Sequence, residues 1–314
     1  MRKGLIAVLV GWILPLTAAL GGEAKAGAGE AQIVIGMSAP WMEYGSFFGM
    51  WREQAAKTAA ELGVKVVLAD AVWDGSKQIA DLNRFVAMGV KGIVISPLSK
   101  DLGQAIETAV KAGIPVVTTD IRPATDAILL HVGVDQTESG RMAARFMLEK
   151  LGNKGTVVEL VAPLGAATPI DERRDAFEKA VKETKVELIV ARQNGIGRWD
   201  GQQTMARQLR LEADLAFDGV IAPNDGSLFG AIEAMSTYGA DPAKKVVVGF
   251  DATPEAYQYL RDGRLSATVA GFADKEVDRA LRELVSFLRT GKVPSQKVIL
   301  IKPALVTAGG PPAG

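Results

Sequence analysis

The sequence FDGVIA at residues 217–222 is followed directly by PNDG at 223–226, and VVVGF at 246–250 is followed by Asp251. Each apolar run has the length and composition of a buried β-strand, and each stops at polar residues. In an open parallel α/β sheet, the carboxyl ends of the strands border a crevice in which ligands bind. We therefore expect Asn224 and Asp251 to lie at one sheet edge, beside a small polar ligand.

Outward from this stretch, short apolar runs alternate with segments of helical periodicity. The runs form two series, at 33–37, 64–68, 92–95, 114–117 and 128–134, and at 156–161, 186–190, 219–222, 246–250 and 267–270. Continuous apolar strands indicate parallel sheets covered on both faces, and two series indicate two sheets. The sequence therefore predicts an α/β fold of two doubly wound parallel-sheet lobes.

An amphipathic helix at 275–288 and an apolar run at 298–301 follow the second series, and we expect both to return to the first lobe. The chain would then cross between the lobes near Val134, Gly271 and Lys302, forming a hinge suited to closure on a ligand. The expected boundaries are 32–134 with 272–301 for the N-terminal lobe, and 135–271 with 302–314 for the C-terminal lobe.

The first residues have the pattern of a secretory signal peptide, with basic Arg2 and Lys3, an apolar stretch at 5–20 and the cleavage motif AKA at 24–26. A retained membrane anchor is the alternative, but the apolar core is shorter than the roughly 20 residues of a spanning helix. Removal of residues 1–26 would leave 33 basic and 35 acidic residues and no cysteine. We expect a nearly neutral, lipid-free protein in the periplasm.

The composition argues against several function classes. Lys and Arg together equal Asp and Glu at 36 each, and no dense basic run predicts a nucleic-acid partner. The single histidine, His131, lies in an apolar run, and the sequence lacks the metalloprotease, Walker A and nucleophile-elbow motifs. We therefore expect no catalytic residue, no metal site, no cofactor and no enzymatic activity.

The sequence GIGRWDG at 195–201 approximates a dinucleotide-binding loop. Its spacing is Gly-x-Gly-x-x-x-Gly, and bulky Arg198 and Trp199 stand where the backbone must approach a pyrophosphate closely. The loop is therefore expected either to present an aromatic side chain to the crevice or to lie on the surface.

Sugars and polyols are bound by planar Asp, Asn and Arg groups, which pair with vicinal hydroxyls, and by aromatic faces, which stack on C–H patches. The candidates are Asp120, Arg122, Asn224, Asp251, Trp41, Phe47, Phe48 and Trp199. A helix N-cap is the alternative role for an aspartate, and we expect it for Asp135 and Asp225. Burial in the first lobe is the alternative for one of the two phenylalanines.

Three motifs carry a resemblance to a known family: GIPVVTTD at 113–120, APND at 222–225 and VGFDATP at 248–254. With them, residues 33–306 resemble the periplasmic sugar-binding proteins of the ribose-binding type, a type I periplasmic binding protein fold. These proteins are the substrate-capture components of ATP-driven importers. The resemblance implies a ligand between the lobes, stacked on Phe47 and Phe48.

The resemblance also implies hydroxyl binding by Asp120, Asn224 and Asp251, and a second-lobe aromatic at Trp199. The sequence also departs from the family pattern. It reads Asp120-Ile121-Arg122 where the family has Asp followed directly by Arg. Asp171 stands where the family has a ligand-binding arginine, and Arg173 matches a second arginine that does not bind ligand. Gly271 replaces a glutamine, and residues 41–44 form an apparent insertion near the cleft. Ser38, Arg122 and Asp171 complete the expected ligand-binding set.

These patterns predict a monomeric periplasmic solute-binding protein that captures a monosaccharide or small polyol and delivers it to the membrane permease of an ABC importer. A sensor that presents its ligand-bound form to a chemoreceptor or histidine kinase uses the same lobe faces and stays open as the alternative. A transcription factor would need a helix-turn-helix where the export signal lies. An enzyme is the least favoured, because catalytic groups are scarce.

Overall fold

The computed structural model describes residues 32–211 and 215–310; the expected signal peptide, residues 1–26, lies outside them. The strands are β1 (Val34–Ala39), β2 (Lys65–Asp70), β3 (Gly92–Ile95), β4 (Val116–Thr119), β5 (Leu130–Val134), β6 (Lys154–Val161), β7 (Lys185–Arg192), β8 (Gly219–Ile221), β9 (Val246–Asp251), β10 (Ala267–Ala270), β11 (Val298–Ile301) and β12 (Ala304–Val306).

Between the strands lie the helices, which begin and end close to the segments of helical periodicity. They are α1 (Phe47–Leu62), α2 (Gly75–Ala87), α3 (Gly103–Lys111), α4 (Gln136–Leu151), α5 (Thr168–Val181), α6 (Arg198–Leu211), α7 (Asp225–Thr237), α8 (Pro254–Arg261) and α9 (Ala273–Thr290). Within the described ranges, no helix combines the length and apolar character needed to cross a membrane.

The strands form two sheets of six within the described residues, and each sheet belongs to one lobe. Strand order is β11-β5-β4-β3-β1-β2 in the first sheet and β12-β10-β9-β8-β6-β7 in the second. The pairs are parallel except that β12 runs antiparallel to β10. The predicted architecture of two doubly wound lobes is thereby confirmed, and the antiparallel edge strand is an addition to it.

Within residues 32–211 and 215–310, the chain passes between the lobes three times, after β5, after β10 and after β11. On its return, α9 buries Val277, Leu281 and Leu284 in the same core cluster as Ile35 and Trp51 of the first lobe. A large apolar helix face of this kind supplies most of the stability of the contact. The residue limits proposed above for the two lobes stay a prediction.

Candidate functional site

A cavity of about 480 Å³ lies between the lobes, where the carboxyl ends of both sheets meet. Its volume is in the range of small-molecule sites. The lining comprises Pro40, Trp41, Glu43, Tyr44, Gly45, Ser46, Phe47, Phe48, Trp73, Asp120 and Ile121 from the first lobe, and Gln136, Ala167, Pro169, Ile170, Arg173, Ile196, Gly197, Arg198, Asn224, Gly226, Phe229, Asp251, Thr253, Glu255 and Gly271 from the second lobe and hinge.

Two carboxylates enter the cavity from strand ends. Asp120 follows the last residue of β4, and Asp251 is the last residue of β9. Both have left-handed backbone angles, with φ of 56° at Asp120 and 104° at Asp251. Such angles are costly for residues other than glycine and cluster at functional sites, where surrounding structure holds them. Here they turn both side chains into the cleft.

Arg173 of α5 supplies a guanidinium to the same region. Its Nη1 lies 3.5 Å from Oδ1 of Asp251, and its Nη2 donates to the carbonyl oxygen of Pro223. The guanidinium carbon lies 4.6 Å from the centroid of the Phe250 ring. Because the Asp251 contact is at the outer limit of a hydrogen bond, Nη1 can also donate to a ligand oxygen.

The electrostatics of the cleft favour a proton on its carboxyls. Enclosure in the cleft raises the pKa of Asp120 to about 7, against the opposing charge of Arg173 and with the added repulsion of Asp251. The same enclosure raises the pKa of Asp251, and Arg173 again opposes the shift. A carboxyl that changes protonation near neutrality can serve as either a donor or an acceptor toward a hydroxyl.

Asn224, and not Asp225, caps α7. Its Oδ1 accepts from the Ser227 N–H at 2.8 Å, and its Nδ2 donates to the carbonyl of Ile196 at 2.9 Å. The expected N-cap role of Asp225 is therefore wrong. Asp225 is fully buried and accepts instead from the backbone and hydroxyl of Thr253, at 2.9 and 3.1 Å, and from the hydroxyl of Thr268 at 2.9 Å.

Asp225 thus holds the turn after β9 in place, and burial raises its pKa to about 8. The expected N-cap role of Asp135 is confirmed, because its Oδ1 accepts from the Glu138 N–H at 2.9 Å. Capping and ligand contact are compatible for Asn224, since its amide retains one N–H and one lone pair after these bonds.

Phe47 and Phe48 begin α1 and meet edge to face, with ring centroids 5.1 Å apart. Phe48 is 8% exposed within the first-lobe core, whereas Phe47 is partly buried against it. Gly271 in the hinge permits this placement, because a β-carbon there would lie 2.9 Å from Cε2 of Phe47. Because residue 271 has no side chain, there is room for the Phe47 ring at the cavity wall.

Four predicted ligand-binding residues lie outside the cavity lining: Ser38, Arg122, Asp171 and Trp199. Ser38 is fully buried in β1, where its hydroxyl accepts from Gln78 Nε2 at 3.3 Å. Arg122 points outward to pair with Asp126 at 3.2 Å, and Ile121 takes the lining position beside Asp120.

Asp171 accepts from the Gly165 N–H at 3.0 Å and pairs with Arg174 at 3.0 Å. Arg173, which the resemblance marks as not binding ligand, lines the cavity instead. Two residues on a helix differ by about 200° in direction, so Asp171 and Arg173 of α5 cannot face the same way. The helical period of this segment is the sequence signal that separates them.

Trp199 is 69% exposed on the first turn of α6. The loop before it turns Arg198 to the cavity, where its guanidinium binds Glu233 at 2.5 Å and both carboxylate oxygens of Glu255 at 3.0 Å. Gly201, also in α6, allows this helix to pack closely against α7, because a β-carbon there would lie 1.9 Å from the carbonyl oxygen of Ser227. The glycine pattern at 195–201 thus has a structural cause.

Further lining residues escaped the sequence analysis. Gln136, at the start of α4, is 7% exposed, and its Oε1 has no hydrogen-bond partner among the described residues. The predicted candidate Trp41 and its neighbour Tyr44, in the loop before α1, line the cavity together with Trp73, whose φ is 60°. Its position two residues after the end of β5, at the carboxyl edge of the first sheet, is the sequence signal that could have identified Gln136.

His131 lies inside the first sheet and away from the cavity lining. Its Nδ1 is 3.0 Å from Oγ1 of Thr118, and burial lowers its pKa to about 4. Among residues 32–211 and 215–310, no cluster of His, Cys, Asp and Glu has the arrangement of a metal site.

A cleft between two doubly wound lobes, with carboxylates, an amide, a guanidinium and aromatic rings on its walls, defines a two-lobed binding protein for a small polar solute. Residues 35–292 match the model of the periplasmic binding protein domain. The chain belongs to this family, and the expected resemblance to its ribose-binding type is confirmed.

Known relatives agree with this assignment. The chain is 32% identical to the ribose import binding protein RbsB of Bacillus subtilis over 242 residues, which is 77% of each protein. It is 28% identical to the Caulobacter myo-inositol binding protein bound to myo-inositol, with a TM-score of 0.82 over 89% of this chain and 94% of the other. The fructose-binding periplasmic domain of a hybrid two-component system is 26% identical, with a TM-score of 0.79 over 88% and 91%.

Proposed function

We propose that this protein captures a monosaccharide or small cyclic polyol between its lobes and delivers it to the membrane permease of an ABC importer. One observation carries the proposal: Asp120, Asn224, Asp251 and Arg173 converge with the Phe47 ring on a single cavity between the lobes. The polar groups match the hydroxyls of such a ligand, and the ring matches its C–H face.

A screen of pentoses, hexoses and cyclitols by thermal unfolding tests this proposal. A ligand present at about 100 times its dissociation constant stabilises the folded protein by about 2.7 kcal/mol. We expect at least one member of the panel to raise the melting temperature. If no sugar, polyol or related metabolite does so, capture of such a solute is refuted.

Replacement of Asp251 by alanine tests the site itself. The ligand hydroxyls would lose a charged partner in an enclosed cleft, so we expect binding to weaken by at least about 2 kcal/mol, or ~30-fold. Titration calorimetry with the best sugar from the screen measures the effect, and Asp262→Ala on the exposed end of α8 is the control. Unchanged affinity in Asp251→Ala would place the ligand elsewhere.

We further propose that the protein acts as a monomer in the periplasm after removal of residues 1–26 and releases its ligand chemically unchanged. Mass spectrometry of the protein from a periplasmic extract, and of the sugar recovered from it, tests the processing and the absence of turnover. A retained N-terminus, or a converted sugar, would contradict the respective point.

Sensing is the second candidate, favoured by the similarity to the periplasmic domain of a two-component system. Measuring uptake of the radiolabelled sugar distinguishes a role in import from a role in sensing. Deletion of the gene for this protein should abolish uptake if it serves an importer, and should leave uptake intact but abolish the transcriptional response if it serves a sensor.

A further inference from the structure

The walls of the cavity carry more acid than base. The charged residues in the described lining are Glu43, Asp120, Asp251 and Glu255 against Arg173 and Arg198. Arg198 is already committed to Glu233 and Glu255 at the cleft edge. At the centre, a single guanidinium from Arg173 therefore faces the two carboxyls of Asp120 and Asp251. The guanidinium of Arg122 does not restore the balance, because it pairs with Asp126 outside.

A third carboxyl lies behind these two. Glu276, on the first turn of α9, is fully buried, and neither of its carboxylate oxygens has a hydrogen-bond partner among the described residues. Glu276 follows Gly271, which lines the cavity, by five residues in the chain. A buried carboxyl without a partner is costly and rare in folded proteins, so its retention in the core requires a cause.

The charges around Glu276 indicate that a ligand could supply a cation. Burial raises its pKa well above the usual value, and the charges of Asp120, Asp251 and Asp274 raise it further; the nearby backbone N–H of Asp120, which donates to the carbonyl of Val132, opposes the shift in part. The charged groups that act on Glu276 are all acids, so no cation among the described residues favours its ionised form. A positive charge placed in the cleft between Asp120 and Asp251 would favour the ionised forms of these carboxyls and so oppose the rise in their pKa values.

We propose that the ligand carries a protonated amino group, so that the solute is an amino sugar or an amino-substituted cyclic polyol. The inference rests on the proposed function and specifies its ligand class. The ammonium group donates to Asp120 and Asp251, while the uncharged hydroxyls pair with Asn224 and Arg173. An ammonium has three donors and no acceptor, which suits a pocket centre rich in carboxylate oxygens. The nearby Phe47 ring can add a cation–π contribution.

Matched ligand triplets test the proposal by titration calorimetry at pH 7. Each triplet contains a neutral sugar, its monoamino counterpart and the N-acetylated amine, for example glucose, glucosamine and N-acetylglucosamine, with galactose and inositol triplets beside them. In at least one triplet we expect the amine to bind at least tenfold more tightly than the neutral sugar. Acetylation should remove this advantage, because it removes the charge.

The outcomes separate the two proposals. If the neutral sugar binds as tightly as the amine, or more tightly, in every triplet that binds, the amine inference is overturned while sugar capture stands. If no member of any triplet and no sugar of the wider screen binds, capture of a sugar fails and the inference fails with it.

Replacement of Glu276 by glutamine tests the role of the buried carboxyl while conserving its shape. We expect the preference for the amine over the neutral sugar to fall by about tenfold, with affinity for the neutral sugar retained. Asp274→Asn is the matched control, since it is the corresponding acid-to-amide change on the same turn of α9 at an exposed position. An unchanged preference in Glu276→Gln would overturn the role assigned to Glu276.

Discussion

At the scale of single residues, two arginines that are adjacent in sequence have opposite surroundings. Arg173 faces the cleft, whereas Arg174 lies outside the cavity lining and pairs with Asp171 at 3.0 Å and Asp175 at 2.7 Å. We expect Arg173→Ala to weaken sugar binding by about 2 kcal/mol, or ~30-fold, through loss of a charged hydrogen-bond donor. Arg174→Ala should change affinity less than about twofold, because Arg174 lies outside the cavity lining and its pairs with Asp171 and Asp175 do not reach the ligand.

Calorimetry of both variants with the sugar identified by the screen measures this difference. Because Arg173 also pairs with Asp251, its removal can lower stability, and Arg173→Lys keeps the charge while losing the planar fork. Equal affinities in the Arg173 and Arg174 variants would show that neither contacts ligand. Weakening by Asp171→Asn alone would support the original prediction for Asp171.

A second residue-scale prediction concerns pH. Glu159 of β6 is buried, and burial together with the charge of Glu178 raises its pKa from 4.5 to about 8, against the effect of Arg174. The folded state therefore keeps a proton that the unfolded chain releases above pH 4.5. The resulting stability is fully present below that pH and is lost as the pH rises through about 8.

Glu159→Gln should accordingly reduce the fall in melting temperature between pH 5 and pH 8.5. The gain in free energy of unfolding at the higher pH should be at least about 1 kcal/mol. Thermal scans across this pH range provide the measurement, with Glu187→Gln on the exposed face of β7 as control. Parallel curves for wild type and Glu159→Gln would contradict the raised pKa of Glu159.

At the scale of elements, the close approach of α6 and α7 depends on glycines. A β-carbon on Gly201 would lie 1.9 Å from the Ser227 carbonyl oxygen, and one on Gly230 would lie 1.9 Å from that of Arg198. Gly201→Ala should therefore destabilise the protein by about 1–3 kcal/mol, because the two helices must separate. Gly75→Ala in α2, where a β-carbon meets nothing within 4 Å, is the matched control.

Denaturant unfolding of both glycine variants decides the point. A stability of Gly201→Ala equal to that of Gly75→Ala would mean that α6 and α7 can shift without cost. The helices also position the cleft residues Arg198 and Asn224, so the Gly201 variant should lose ligand affinity as well.

Element type could be predicted from sequence because strand and helix periods differ strongly in this chain. The apolar runs place β1 to β11 within a few residues, and the antiparallel β12 is missed because Ala304–Val306 is too short for a periodic signal. The strand-end residues Asp120, Asn224 and Asp251 follow from the same pattern. The outward directions of Arg122 and Asp171 do not follow from it. The helical period shows that Asp171 and Arg173 face different ways, but which of them faces the cleft depends on packing that sequence position does not specify.

At the scale of the whole molecule, three chain crossings between lobes allow closure about a hinge. We expect a bound sugar to reduce the radius of gyration in small-angle X-ray scattering, because both lobes contribute groups to one ligand. A sugar that does not bind in the thermal screen is the control. An unchanged radius of gyration at saturating ligand would show that the lobes already hold their bound arrangement.

The late return of the chain to the first lobe also has a consequence for biosynthesis. The core around Trp51 is completed by Val277, Leu281 and Leu284, and the edge of its sheet by β11. A ribosome that has made the first 250 residues has therefore supplied every strand of the first lobe except one, yet not the helix that covers them. The lobe made first is therefore finished last, and its core stays incomplete until synthesis of the chain is nearly complete.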